Sequence, residues 1–582
     1  MKFLISNFQF LNKKGIITVY VLVFGAVFLI LLGALIGFIS LQLKVSRQKV
    51  AWADSLNIAE AGINYYRWHL NHTPEGQNPD IQDGNNWCCK VGGVEYGQDD
   101  PQCQQGGFTI CGVCDGNACY EHSYYDSEGK LKGKFVLKIK AKKICGRILG
   151  VYVSSIGSTQ EYPDLKREVQ VKFAATSIAE YAYIINDGVW AGSDREIFGK
   201  YHSNSGIRMD GSHNSLVTSA LDNWVCTPAF GCCGDDALCN CDWSPSLGCH
   251  RVGGPFYPCV GRCAARNVPQ ECVWDDANDE VICNGVCGGG GPKDLWKNPV
   301  PPFDFSGITA DLSEMKNLAT GTGIYYPPSD TINSSAKGYH LVFNPDGSFD
   351  IFVITDLDAV YACDKDGDGV CEGSDDWYWS EEKISSEYQP LDGVYGGYDL
   401  KFDNVTTTED CGLIFIEDNL WIEGTVKGKK TVAVANLETP GVDPSVFLNN
   451  NLDYTTLDGS DSLAVIAEKD ILLPCHTPDN MVARGVFVAQ WGNFGRKLYI
   501  DPDVNWWHCW LHPSECCDDA LRTHLTIYGS IVSNGRVGTR WGSSSGYQER
   551  DNYFDAKLSK DPPPLLPYVS EEMEIISWEE IE

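Results

Sequence analysis

The sequence predicts an α+β protein that is mostly β. It has one long N-terminal helix, a small antiparallel sheet, and a large β-rich head, built as a β-solenoid or a sandwich, with disulfide-rich insertions. Three observations lead there. From Ile16 to Leu43, 28 residues pass without a charge, more than the roughly 20 that span a bilayer as a helix. Later segments are short, alternating and rich in β-branched residues, with Gly, Asn and Asp at the turns between them. The 25 cysteines fall in three groups: seven from Cys88 to Cys145, eleven from Cys226 to Cys287, and seven from Cys363 to Cys517.

At 582 residues the chain exceeds the roughly 250–300 that one core sustains, so several domains are expected. The net charge of −33 is uneven: residues 1–175 hold 19 basic and 15 acidic side chains, the remainder 26 and 63. A body this acidic repels phosphate backbones, which excludes nucleic acid as a partner and favours cation binding and solvation outside the cell. The cysteine density belongs to an oxidising compartment. Zinc is the rival explanation, through Cys111-x-x-Cys114, but no second matching pair follows at ribbon spacing. Disulfides are therefore expected, with Cys226, Cys232, Cys233, Cys239 and Cys241 as candidates in the second group and Cys363 and Cys371 in the third. The odd total leaves at least one thiol free or joined to another chain.

The helix begins after Lys13 and Lys14 and meets Lys44, Arg47 and Lys49 at the far end of its apolar run. Basic residues at both ends give no clear orientation. A secretory signal would have a shorter apolar core and a small-x-small site after it. The helical pattern also continues past the apolar run, with Val50, Ala53, Ile58, Ala61 and Tyr65 at three- to four-residue spacing. One helix from Ile16 to about Leu70 would measure roughly 80 Å.

A basic leader ending in Gly15, an uncharged stem from Ile16, and Ala59-Glu60-Ala61-Gly62 near its far end resemble a type IV prepilin, most of all the minor pilins and pseudopilins of the PilX and tip-subunit kind. The resemblance implies that prepilin peptidase cuts after Gly15 and methylates the Ile16 amine. It implies a single-pass inner-membrane precursor, later extracted into a filament of other pilin subunits on the cell surface. Major pilins carry glutamate at the fifth mature position, where this chain has Tyr20. A buried carboxylate is costly without a partner, and a subunit lacking it cannot pair with a neighbour's amine, as in tip pseudopilins.

The expected organisation is a leader (1–15), the transmembrane and filament helix (16–70) and a Cys-rich insertion (71–130). A pilin-like sheet (131–175) follows, with strands at Phe135–Ile144, Ile148–Gly157 and Arg167–Phe173. Then come a first head segment (176–220), a second Cys-rich insertion (221–300), a segment with an acidic loop (301–400), a solenoid-like core (401–560) and a C-terminal tail (561–582). Within the head, Ile197–Met209 and Ile527–Val537 share an aromatic-Gly…Ser-Asn…Gly pattern that is too degenerate to decide between solenoid and sandwich. These two segments and the FDAKLSKDPPPLLPY ending also resemble large pilin-like proteins of uncultivated bacteria. That likeness covers the stem and about 150–215 and 400–582, but neither cysteine-rich insertion.

The strongest chemical motif is DKDGDGVCEGSD, residues 364–375, which matches a twelve-residue calcium loop. Asp364, Asp366 and Asp368 alternate as ligands, Gly369 permits the sharp turn, Val370 offers its carbonyl, and Glu372 reaches the ion directly or through water. Asp375 stands where glutamate would close the site, with Asp376 as a substitute. The rival explanation is an acidic surface turn. Calcium is the expected cofactor, as a structural clip.

Three weaker features remain. In WWHCWLHPSECCDD, His508 and His512 are four apart with Cys509, Cys516 and Cys517 close by, the makings of a metal site, but Pro513 ends the helix that would align them, so a disulfide-rich aromatic loop is expected. Trp506, Trp507 and Trp510 either lie buried under a cross-linked loop or stack on a surface glycan or an apolar partner, such as a host or partner cell offers. DDANDE, residues 275–280, is a second cation site or a solvated face. No H-E-x-x-H or P-loop occurs, so no enzyme is expected. The leading function is a minor pilin acting in pilus assembly and adhesion. The alternatives are a tethered surface binding protein outside any filament, and a carbohydrate-active enzyme on a solenoid.

Overall fold

The computed structural model describes residues 13–72, 89–91, 94–96, 109–110, 113–114, 117–145, 147–227, 230, 232, 241–244, 248–251, 270–275, 280–363, 376–407, 411–439, 441–503, 505–541 and 544–581. Contacts divide the chain into two units. One comprises Met1–Lys142, Gly150–Phe173 and Ile575–Glu582, the other Lys143–Leu149 and Ala174–Glu574.

The first unit is a helix laid on a sheet. The helix runs unbroken over Lys13–His72, 60 residues, or about 90 Å at 1.5 Å per residue. Its large apolar side chains from Ile17 to Val50 stand exposed, and it is long and apolar enough to cross a membrane. The second half buries Ala51, Ser55, Ile58, Ala59, Ile63 and Tyr66. This is not the stripe expected from hydropathy: of those five positions only Ile58 is buried, while Val50 and Ala53 are exposed. The cause is close approach. A Cβ on Gly157 would lie 2.2 Å from the Ser55 carbonyl, and one on Gly62 would lie 2.3 Å from Ser155 Oγ. At such separations the contact line belongs to small residues, which hydropathy ranks below their larger neighbours. Ser55 Oγ also donates to the Leu165 carbonyl at 2.8 Å.

The sheet has the order Val113–Cys114, Asn117–Tyr125, Leu131–Ile144, Arg147–Thr159, Lys166–Ser177, Tyr568–Ile581. Its central pairings are antiparallel, including Val151↔Phe173 and His122↔Phe135. The three expected strands are present. Two boundaries differ from expectation. Asn117–Tyr125, assigned to the 71–130 insertion, is a strand of this sheet. The 561–582 stretch is more than a tail, since Leu565 and Leu566 are buried and its end supplies the last strand.

The second unit is built from short strands stacked in parallel and in register. The pairing Tyr325↔Phe415 continues through Phe415↔Ala433, Ala433↔Ile466, Ile466↔Val488 and Val488↔Val532. It then passes to Val532↔Ile184, Ile184↔His202 and His202↔Thr218. A second parallel column runs Tyr339–Leu420–Val446–Ile471–Phe494. The first column is buried on both faces. Ile414, Val432, Val465 and Phe487 enter one apolar cluster, while Phe415, Ala433, Ile466 and Val488 enter another with Leu312, Met315 and Ala319 of the helix Gly307–Gly321. Strands buried on both faces read as continuous apolar runs, which is why SLAVIA and GVFVA show no alternation.

The two degenerate repeats prove to be spatial neighbours. Ile185 pairs with both Ser533 and Ser203, so early strands of the head stack on its last ones. At the turn, Asn186 Nδ2 donates to Asn534 Oδ1 at 2.6 Å, and Asn204 Nδ2 donates to Asn186 Oδ1 at 2.7 Å. The shared Ser-Asn letters are thus rungs of one asparagine ladder, with Asn186 between them.

Candidate functional site

A short helix, Trp506–Leu511, carries a group of aromatic side chains on the second unit. As Pro513 requires, the helix stops before that residue. The helix is pinned by Cys509–Cys516, and the adjoining Cys517 is bonded to Cys475. The tryptophans are not buried beneath this cross-linked segment: Trp506, Trp507 and Trp510 are 65, 58 and 69% exposed. Trp507 and Trp510 stack at 5.5 Å, and Trp506 meets Trp507 edge-on. The two disulfides use the inward side, so the indoles are left facing solvent.

Glu515 joins this helix to a second aromatic group. Its carboxylate lies 2.9 Å from His508 Nε2 and 3.6 Å from His512 Nδ1. It also acts on Tyr361, whose pKa is raised first by burial and then by the Glu515 charge. Tyr361 stacks on Trp377 at 5.2 Å and lies 5.1 Å from Trp379, which is 49% exposed. These three sit on the antiparallel hairpin of Phe349–Cys363 and Trp377–Tyr388, where Tyr361 faces Trp379. Sequence reasoning missed Tyr361, Trp377, Trp379 and Glu515. The period-two spacing Trp377-x-Trp379 was an available signal, but only strand pairing places it near residue 515.

The calcium-loop residues Asp364, Asp366, Asp368, Val370, Glu372 and Asp375, with Cys371, lie outside the described residues. Their flanks are described. Cys363 pairs with Trp377 in the antiparallel ladder. Cys363 is disulfide-bonded, and Asp376 Oδ2 lies 3.5 Å from its Sγ. Gly15 and Ile16 fall in the opening turn of the stem helix.

In the second cysteine group, Cys226 is bonded to Cys232 and Cys272 to Cys283. Cys233 and Cys239 lie outside the described residues, and Cys241 opens a two-stranded ribbon. Among the described residues, the groups close enough to share a metal ion are Cys226, Cys232 and Cys283, and Cys272, Cys283 and Cys287. Each contains a bonded pair. Cys287 is a buried free thiol whose pKa burial pushes up to about 12, so it stays protonated and unreactive. Of the DDANDE run, Asp275 and Glu280 face each other across a hairpin, and the residues between them lie outside the described set.

The buried ionisable groups act as structure. Burial alone would lower the pKa of His340, but Glu387 at 2.9 Å and Glu423 at 3.6 Å outweigh it and hold it at about 9. A histidine kept protonated in this way cannot act as a base near neutral pH. Glu382 is buried, accepts from Tyr499 Oη at 2.6 Å, and lies 3.8 Å from Lys497 Nζ, out of reach of a substrate.

Neither a family model nor a curated protein matches the chain. Among solved structures, the competence-associated pilin ComZ from Thermus thermophilus is similar at 14% identity, covering 91% of this chain and 98% of that one, with a TM-score of 0.27. Likeness at that level fixes neither fold nor function.

Proposed function

We propose that this chain is a non-enzymatic minor pilin or pseudopilin of the PilX-like kind: cut after Gly15, held by one span in the inner membrane, then presented with other pilin subunits at the tip of a surface filament. The supporting observation is the single 60-residue helix. Its first half exposes large apolar side chains along its length, while its second half is buried on an antiparallel sheet. Such a helix suits two successive apolar environments, a bilayer and then a filament core. Tyr20 supports a tip or minor position, because it withholds the charge a shaft subunit would pair. The parallel stacked strands support a β-solenoid head. Mass spectrometry of sheared filaments is expected to find a methylated Ile16 as the first residue. An intact Met1 confined to membranes would favour the tethered-protein alternative.

The same proposal gives residues 364–375 a bound calcium ion as a structural clip, the support being Asp364, Asp366 and Asp368 at ligand spacing beside a disulfide-bonded Cys363. Chelation is expected to lower the melting temperature of the full-length protein, and Asp364→Ala to abolish the difference. A melting curve indifferent to chelator would remove the ion from the proposal.

A further inference from the structure

The surface around Glu515 combines two features that seldom coexist by accident. The strand Phe349–Cys363 pairs with Leu498–Tyr499 and packs against the turn Pro513–Glu515, which the helix Trp506–Leu511 also contacts. This brings Tyr361, Trp377 and Trp379 to the same region of the head as Trp506, Trp507 and Trp510, with four of the five indoles at least half or nearly half exposed. Exposed aromatic surface of this extent marks an interaction site. Beside the indoles stand hydrogen-bonding groups: the Glu515 carboxylate and the imidazoles of His508 and His512. Two disulfides hold the indole-bearing helix in place, so little ordering remains to oppose binding.

We propose that this patch is the binding site for a neutral, β-linked glycan chain. A pyranose with equatorial hydroxyls offers C–H faces that stack on indoles and an edge of hydroxyls that a carboxylate and imidazoles can engage. Stacking on aromatic side chains contributes to binding whatever the attached substituents. The other occupants fit worse. A lipid surface would bury the Glu515 charge against hydrocarbon, which is costly. Acidic polymers are repelled by a chain of net charge −33, and a second copy would lay that acidic surface on itself. The proposal deepens the filament reading, resting on it only for where the site is displayed.

The test is calorimetric titration of the full-length protein in detergent micelles with cellohexaose and with the hexamer of N-acetylglucosamine. A flotation assay with phosphatidylcholine vesicles and sedimentation for self-association run alongside. At least one hexasaccharide is expected to bind and to change tryptophan fluorescence. Trp507→Ala and Trp510→Ala should each weaken it about tenfold or more, and Trp379→Ala severalfold, with melting temperature unchanged because these rings are exposed. Binding by neither sugar, or binding that ignores all three substitutions, overturns the proposal. So does a Trp507- and Trp510-dependent vesicle or self-association signal without sugar binding. None of these results bears on whether Ile16 is methylated, so the filament reading stands or falls separately.

Discussion

Replacing Arg496 with methionine is expected to destabilise the second unit by about 3–5 kcal/mol. Arg496 is 2% exposed, and among the described residues no carboxylate forms an ion pair with its guanidinium; burial lowers its pKa. Its donors instead hold backbone: the Pro474 carbonyl, that of Cys475 at 2.9 Å, that of Asp519 at 2.7 Å, and Thr477 Oγ1 at 3.0 Å. The rings of Tyr499 and Tyr547 lie 5.1 and 5.5 Å from it. Methionine fills much of the volume but leaves these acceptors buried without a donor, and each such loss costs about 1–3 kcal/mol. Lysine would rescue only part, because an ammonium lacks the planar fork that spans two segments. Denaturant unfolding followed by near-UV circular dichroism checks this. A loss below about 1 kcal/mol would mean that water replaces the arginine readily. Because the clasped segment carries Cys475, the partner of Cys517, the variant should also loosen the loop below the exposed tryptophans.

How much of this was legible in the sequence depends on how local the determining signal is. The stem helix was legible because its cause, an uncharged run followed by helical spacing, is contained in the run itself. The face it buries was not, since Ser55 and Ala59 are chosen by how near Gly157 brings the sheet. The head shows the same division. Individual strands were visible, whereas the stacking of Ile185 between Ser533 and Ser203 joins segments more than 300 residues apart, and no periodicity along the chain records it. The aromatic patch was half legible: Trp506, Trp507 and Trp510 lie together in sequence, while the hairpin that carries Tyr361, Trp377 and Trp379 comes beside the turn Pro513–Glu515 only through the fold, in which Ala362 pairs with Tyr499. The disulfides were expected as a class, but the pairing of Cys145 with Cys411 across 266 residues required the fold.

Gly157→Val is expected to be the most damaging single change in the first unit, costing about 3 kcal/mol or more. The glycine is not in the left-handed backbone region, so the penalty is steric. An added Cβ would lie 2.2 Å from the Ser55 carbonyl and 2.4 Å from the Ala59 amide nitrogen. Both obstacles are helix backbone, which cannot rotate aside as a flexible side chain would. The helix must lift, which breaks the bond from Ser55 to the Leu165 carbonyl and opens the contact of Tyr66 with Phe173, whose rings lie 5.7 Å apart. Gly157→Ala already carries the offending carbon and should show most of the effect. Gly33→Ala in the exposed half of the same helix has nothing within 4 Å of its added carbon and should favour the helix by about 1 kcal/mol. Hydrogen exchange of the amides from Ala51 to Leu70 separates the cases: protection should collapse in Gly157→Val and persist in Gly33→Ala. Unchanged protection in Gly157→Val would show that the helix does not sit this close to the sheet. The glycine would then have no part in fixing the helix to the sheet.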